Sequence, residues 1–163
     1  MRAFIGIKLK DCHNNILEVV ESLKSKDPKA NYTRPENIHL TLAFLGEINE
    51  KEKALIKGVV DGLDNPPFGI SINKLRNFKD MAILEVKPNQ HLTKLYESLV
   101  EGLAGCGILL EKRKYYPHIT LSRKTVLRVD KDFEMKSNVE EIILFSSERR
   151  AILTYLPIHI KRL

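Results

Sequence analysis

Tryptophan is absent from this 163-residue chain, and only two cysteines occur, Cys12 and Cys106. Two cysteines this far apart make neither a disulfide framework nor a zinc-ligand pattern, and they point to a reducing compartment. No apolar run approaches the roughly 20 residues that cross a bilayer. The apolar start, Met1-Arg2-Ala3-Phe4-Ile5-Gly6-Ile7, is too short for a secretory leader and is followed by charge. The expected location is therefore the cytoplasm, with no membrane partner. A glycine-rich phosphate loop of the nucleotide-hydrolase kind is missing. No Pro/Gly-rich linker and no low-complexity tract divides the chain, so a single domain is expected over residues 1–163.

Positive charge is in excess: 27 Lys and Arg face 21 Asp and Glu, a formal net charge of +6. Such a balance favours polyanionic partners, nucleic acid among them. A lysine-rich solvated surface gives the same number, so charge alone does not decide. Hydrophobic residues make up 43% of the chain, enough to bury a core without disulfides or structural metal.

Hydrophobic spacing predicts strands over 2–9, 38–45, 68–76, 81–87, 115–122, 139–145 and 151–161. Ile16, Val19, Val20 and Leu23 mark a helix over 12–25. Asn49 caps a second over 50–63, with Ala54, Leu55, Val59 and Leu63 as its buried stripe. Asn89 caps a third, which carries Leu92, Leu95, Tyr96, Leu99, Val100 and Leu103. The polar stretch 124–138 is expected to be a mobile loop. Helices packed on mainly antiparallel sheets make an α+β domain.

One short pattern recurs. His-x-Thr occurs at His39-Leu40-Thr41, His91-Leu92-Thr93 and His118-Ile119-Thr120. Five His and six Thr in the chain give roughly 0.2 such triplets by chance. In a strand, residues i and i+2 share a face, about 6.5–7 Å apart. In a helix they diverge by about 200°. His39 with Thr41, and His118 with Thr120, fall in strands whose alternate residues are apolar. His91 and Thr93 fall in the third helix, which reduces that triplet to coincidence.

Two imidazoles and two hydroxyls suit displacement at phosphorus. An imidazole titrates near neutrality, so one ring can be neutral while the other is protonated. One then takes a proton from the attacking oxygen and the other gives one to the leaving oxygen. Threonine hydroxyls and an arginine hold the phosphoryl oxygens. His-x-Thr is not a metal-ligand spacing, and two histidines alone make a poor cage, so neither metal nor cofactor is expected. A basic module that holds RNA ends without turnover is the competing reading. Lys112, Arg113, Lys114, Arg123, Lys124 and Arg128 with Tyr115-Tyr116 would be its phosphate-and-stacking groove. A phosphodiesterase for small cyclic nucleotides is a further alternative.

The two His-h-Thr-h blocks (h is apolar), Asn37-Ile38-His39-Leu40-Thr41-Leu42-Ala43-Phe44-Leu45-Gly46 and Pro117-His118-Ile119-Thr120-Leu121-Ser122-Arg123, resemble the signature of the two-histidine (2H) phosphoesterases. The opening Arg2-Ala3-Phe4-Ile5-Gly6-Ile7 and the closing Leu144-Phe145-Ser146-Ser147 with Tyr155 extend the resemblance to RNA 2′,3′-cyclic phosphodiesterases, also called 2′-5′ RNA ligases. The resemblance implies a bilobal fold with pseudo-twofold antiparallel sheets around a central cleft and helices outside. It implies His39 as general acid and His118 as general base, although the symmetry of the motifs permits the reverse. It also implies Thr41, Thr120 and Arg123 on the phosphate and Phe44 under a base. Strict alternation would put Phe44 and Arg123 on the faces opposite their histidines. The implied reaction opens an RNA 2′,3′-cyclic phosphate to a 2′-phosphate, with 2′-5′ ligation as related reverse chemistry. The implied partners are RNAs with such ends, tRNA fragments among them, and the implied state is a monomer.

Overall fold

A computed structural model of the chain describes every residue from Met1 to Leu163. β1 (Arg2–Ile7) leads through a turn of 3-10 helix into α1 (His13–Lys26). A two-residue strand β2 (Asn31–Tyr32) is followed by β3 (Leu40–Glu47) and α2 (Glu50–Asp61). The hairpin of β4 (Phe68–Phe78) and β5 (Met81–Val86) precedes α3 (Gln90–Gly105). β6 (His118–Arg123), β7 (Asp130–Val139), β8 (Glu141–Arg149) and β9 (Leu153–Arg162) complete the chain.

Both predicted caps form. Asn49 accepts from the Glu52 N–H while the Glu52 carboxylate reaches back to the Asn49 N–H, a capping box that fixes the start of α2. Asn89 accepts from the N–H groups of His91 and Leu92 at 2.9 and 3.1 Å.

The strands form two antiparallel sheets, in the orders β3-β1-β8-β9 and β2-β6-β5-β4-β7. Within them β1–α1–β3 and β5–α3–β6 repeat one arrangement: a strand, a helix, and a second strand returning antiparallel beside the first. This is the internal twofold of the expected α+β fold. One apolar core joins Ile16, Val20, Ile56, Val60, Leu95 and Leu99 of the helices to one face of each sheet. The opposite faces stay uncovered by helix, and there β3 and β6 approach each other.

Three readings of the sequence are corrected. Residues 130–139 are not a loop but β7, paired with β4 along its length. Its outer position lets charged residues take the solvent side while Met135, Ser137 and Val139 face inward, and that disguised the strand as a polar stretch. The buried stripe of α2 is Ile56, Val60 and Leu63, whereas Ala54 and Leu55 are exposed. The predicted stripe was displaced by about one residue, roughly 100° of helix. Finally, Tyr115 does not face a nucleic-acid groove. It lies flat on Tyr96, ring centroids 4.0 Å apart, and points its hydroxyl into the molecule.

Candidate active site

Each motif ends in the same irregularity. Along β1 and β3, Gly6 pairs with Thr41, Ile5 with Ala43 and Phe4 with Phe44, so Leu42 is an extra residue in β3. Along β5 and β6, Glu85 pairs with His118, Ile83 with Thr120 and Ala82 with Ser122, so Leu121 is extra in β6. A β-bulge shifts alternation by one. It therefore returns the fifth residue after each histidine to the histidine's own face. Phe44 thus shares a face with His39 and Thr41, and Arg123 shares one with His118 and Thr120. Both of these residues are solvent-exposed, unlike the buried pairs Leu42-Ala43 and Leu121-Ser122 that precede them.

The two rings are held alike. His39 Nδ1 lies 2.7 Å from the Asn37 carbonyl, and His118 Nδ1 lies 2.7 Å from the Tyr116 carbonyl. A carbonyl only accepts, so Nδ1 carries the proton in both neutral rings and donates it. This leaves Nε2 as the nitrogen with the free lone pair in each ring. The Thr41 hydroxyl donates to His39 Nε2 at 2.8 Å. His118 Nε2 has no hydrogen-bond partner within the chain. Thr120 makes only a long contact from its Oγ1 to the Met81 sulfur, 3.9 Å, and Arg123 Nη1 rests 3.2 Å from the same sulfur. Both groups are available to an anion.

Burial dominates the electrostatics. It pushes His39 down to about 4, against the pull of the Asn37 carbonyl, and the positive charges of Lys8 and His118 add to the fall. His118 is lowered as well, first by burial and then by Arg123 and Arg113, with the Tyr116 carbonyl opposing. Burial and neighbouring positive charge therefore disfavour protonated imidazole, and a nearby negative charge would favour it.

Around His39 the sheet face is aromatic. Phe4 lies 4.7 Å from it, Tyr155 meets it edge-on at 5.3 Å, and Phe145 stacks beneath Phe4 at 4.9 Å. Gly6 makes room for the ring: a Cβ there would stand 2.9 Å from the Leu40 carbonyl oxygen and 3.4 Å from His39 Cδ2.

The profile of the 2′-5′ RNA ligase superfamily matches residues 13–148, most of the chain. The chain belongs to the 2′-5′ RNA ligase superfamily. Its relatives include the RNA 2′,3′-cyclic phosphodiesterase of Thermotoga maritima, 32% identical over 76% of this chain and 70% of that one. The protein of that name from Escherichia coli is 30% identical over 76% of this chain and 74% of its own length. Among solved structures, E. coli LigT complexed with 3′-AMP superposes with a TM-score of 0.82 at 25% identity, covering 99% of this chain and 97% of that one.

The sequence reading did not foresee several contacts around these motifs. Tyr115 donates its hydroxyl to the Thr41 carbonyl at 3.0 Å, a bond from the approach to β6 into the motif of β3. Lys8 stands at the end of β1, over the Phe145 ring at 5.6 Å, and donates to the Glu36 carbonyl beside the turn that orients His39. Buried Asn37 ties that turn to β9 through the Leu153 carbonyl and the Tyr155 N–H. Asn37 opens the first motif block and Tyr115 stands just before the second, but nothing in the sequence announced these contacts. Only Gly6 left a signal, as a glycine inside an apolar strand.

His91 lies exposed at the start of α3, stacked on Phe68, and Thr93 bonds back to the Asn89 carbonyl. The third triplet is helical and divergent, as its spacing requires. No three His, Cys, Asp or Glu side chains gather where they could hold a metal ion. Glu36, the carboxylate nearest His39 in sequence, pairs with Arg34. Both cysteines are free thiols. A cavity of about 480 Å³ lies between α1, β4 and β7. It opens on the helix-covered face of the second sheet, opposite His118, and none of the motif residues lines it.

Proposed function

We infer that this chain is an RNA 2′,3′-cyclic phosphodiesterase, the activity for which its relatives are named. The observation that supports the reading is the pair of histidines, each held by Nδ1 to the carbonyl two residues before it and close enough for the charge of His118 to act on His39. His118 is the general base. Its unpartnered Nε2 takes a proton from water as the water oxygen attacks phosphorus. His39 is the general acid. Its Nε2 gives a proton to O3′ as the P–O3′ bond breaks, leaving a 2′-phosphate and a 3′-hydroxyl. Thr41, Thr120 and Arg123 hold the phosphoryl oxygens, and Phe44 takes the terminal base on its exposed ring.

An anionic phosphate placed between the rings raises the pKa of His39, so substrate binding itself supplies the condition for its acid role. No metal takes part in this scheme, in keeping with a donor set of two imidazoles and two hydroxyls. The whole chain, 1–163, forms the catalytic domain and acts as a monomer in the cytoplasm. No helix is long and apolar enough to cross a membrane. The substrates are RNAs ending in 2′,3′-cyclic phosphate, tRNA fragments among them. With an RNA 5′-hydroxyl in place of water as the attacking oxygen, the same groups join two ends through a 2′-5′ linkage, the P–O3′ bond breaking as before.

Chelator-treated protein should convert an RNA ending in 2′,3′-cyclic phosphate to one ending in 2′-phosphate. Substrate left unchanged at high enzyme concentration, or a 3′-phosphate product, overturns the reading.

A further inference from the structure

Beyond the aromatic row, the cleft face of the first sheet continues into arginine. In β1, Arg2, Phe4 and Gly6 share a face by alternation. Phe4 pairs with Phe145, and Ala3 with Ser146, so Arg2 stands level with Ser147, which pairs with Tyr155. Arg149 pairs with Leu153 at the turn end of the same hairpin and shares the face of Ser147 and Tyr155. Arg123, from the second sheet, lies close enough for its charge to act on Tyr155.

These three guanidiniums have no carboxylate partner. Arg34, Arg76, Arg113 and Arg150 each pair with a glutamate. The carboxylates closest to the patch are committed elsewhere. Glu47, across the strand from Arg2, binds the N-terminal amine at 2.9 Å. Glu148 binds Arg150 at 2.7 Å. The charges of Arg123, Arg149 and Arg2 all act on the Tyr155 phenol, against the upward pull of its burial. Uncompensated guanidiniums that converge from two sheets are a site for an anion.

We propose that Arg2 and Arg149 form a second phosphate subsite at the outer end of the cleft. It holds the phosphodiester on the 5′ side of the nucleotide whose cyclic phosphate is opened. The proposal rests on the function inferred above and narrows its substrate from any cyclic nucleotide to the end of an RNA chain. The order along the sheet agrees with the order along such a chain. The row of Gly6 and Thr41 faces the reacting phosphate, the row of Phe4 and Phe44 the terminal base, and the row of Arg2 and Tyr155 the next phosphate. From Gly6 to Arg2 is about 13 Å along β1, and each arginine side chain can lean back over part of it.

The test compares kcat/KM for a nucleoside 2′,3′-cyclic phosphate, the same nucleotide with a 5′-phosphate, and a dinucleotide ending in the cyclic phosphate. Wild type should gain roughly tenfold or more from the 5′-phosphate, as expected for charge-assisted bonds, and at least as much in the dinucleotide. Arg2→Gln with Arg149→Gln should abolish the gain and leave turnover of the unphosphorylated nucleotide unchanged. The salt slope on the dinucleotide should fall by about 1. Arg149→Gln alone gives the same comparison with the N-terminal strand intact.

A gain that survives both substitutions overturns the proposal, as does one that needs the second nucleoside and ignores the 5′-phosphate. Absence of turnover on all three substrates counts against the hydrolytic reading instead. Affinities for the 2′-phosphate products, with and without a 5′-phosphate, then judge the subsite by itself. Tighter binding with the 5′-phosphate, lost in the variants, supports it; equal binding refutes it.

Discussion

Acidifying the protein should weaken it through His39 in particular. Folding lowers this imidazole from 6.5 to about 4, so between those values the unfolded chain binds a proton that the native site refuses. Stability from this group is intact above about pH 6.5 and is lost as the pH falls towards 4. That difference corresponds to roughly 3 kcal/mol, most of which is gone by pH 4.5. His118 is lowered too and acts in the same direction. That loss is a large share of the 5–15 kcal/mol typical of a domain. Urea midpoints at pH 7.5 and 4.5 measure the total, and His39→Gln isolates the share of one ring, because the amide cannot titrate. The variant should lose roughly 2–3 kcal/mol less than wild type over this interval. The same shift shapes catalysis. With both rings lowered, kcat/KM should peak on the acid side of neutrality, while kcat, which reports the anion-bound site, should peak at higher pH. Equal acid losses in wild type and His39→Gln, together with coincident optima for kcat and kcat/KM, would refute both the buried, neutral imidazole and its later role as acid.

Four further outcomes follow from named contacts. His39→Ala and His118→Ala should each lower kcat by about 10²-fold or more, while His91→Ala leaves it within twofold; steady-state rates on a cyclic-phosphate RNA decide. Tyr115→Phe removes the 3.0 Å bond to the Thr41 carbonyl. It should cost about 1 kcal/mol in urea unfolding and lower kcat more than it raises KM. Gly6→Ala forces a methyl to 2.9 Å from the Leu40 carbonyl oxygen. It should destabilise by about 1–3 kcal/mol and depress kcat through the displaced His39 ring. Lys8→Met keeps an apolar stem over Phe145 but removes a charge that lowers His39. NMR titration should then place His39 above its wild-type pKa, with Lys8→Arg restoring the lower value.

The bulges bear on how this catalytic face came to be doubled. A motif strand with strict alternation offers one face only its first, third and fifth positions. One extra residue lets the sixth position join the first and third, and it does so in both lobes at the same place. The outcome differs in chemistry. The first lobe gains an exposed aromatic ring at Phe44, the second a guanidinium at Arg123. A pseudosymmetric scaffold thereby presents two unlike groups, which under the proposed function meet a base on one side and a phosphate on the other.

Local periodicity determined much of this protein. Two-residue alternation put His39 with Thr41 and His118 with Thr120, each pair on one face, and helical spacing set His91 apart. Caps at Asn49 and Asn89, the β4–β5 hairpin and the α+β class were legible for the same reason, since each is decided within a few neighbouring residues. Whether a strand bulges is not local. It depends on how many residues the partner strand places opposite, so only pairing with β1 and β5 could bring Phe44 and Arg123 round to their histidines. β7 escaped notice because its solvent side is charged and its strand character comes from pairing with β4. The lowered pKa values, the bond from Tyr115 to Thr41 and the convergence of Arg2, Arg123 and Arg149 join residues far apart along the chain. Distance and burial create those properties, and they exist only once the two sheets have closed on one another.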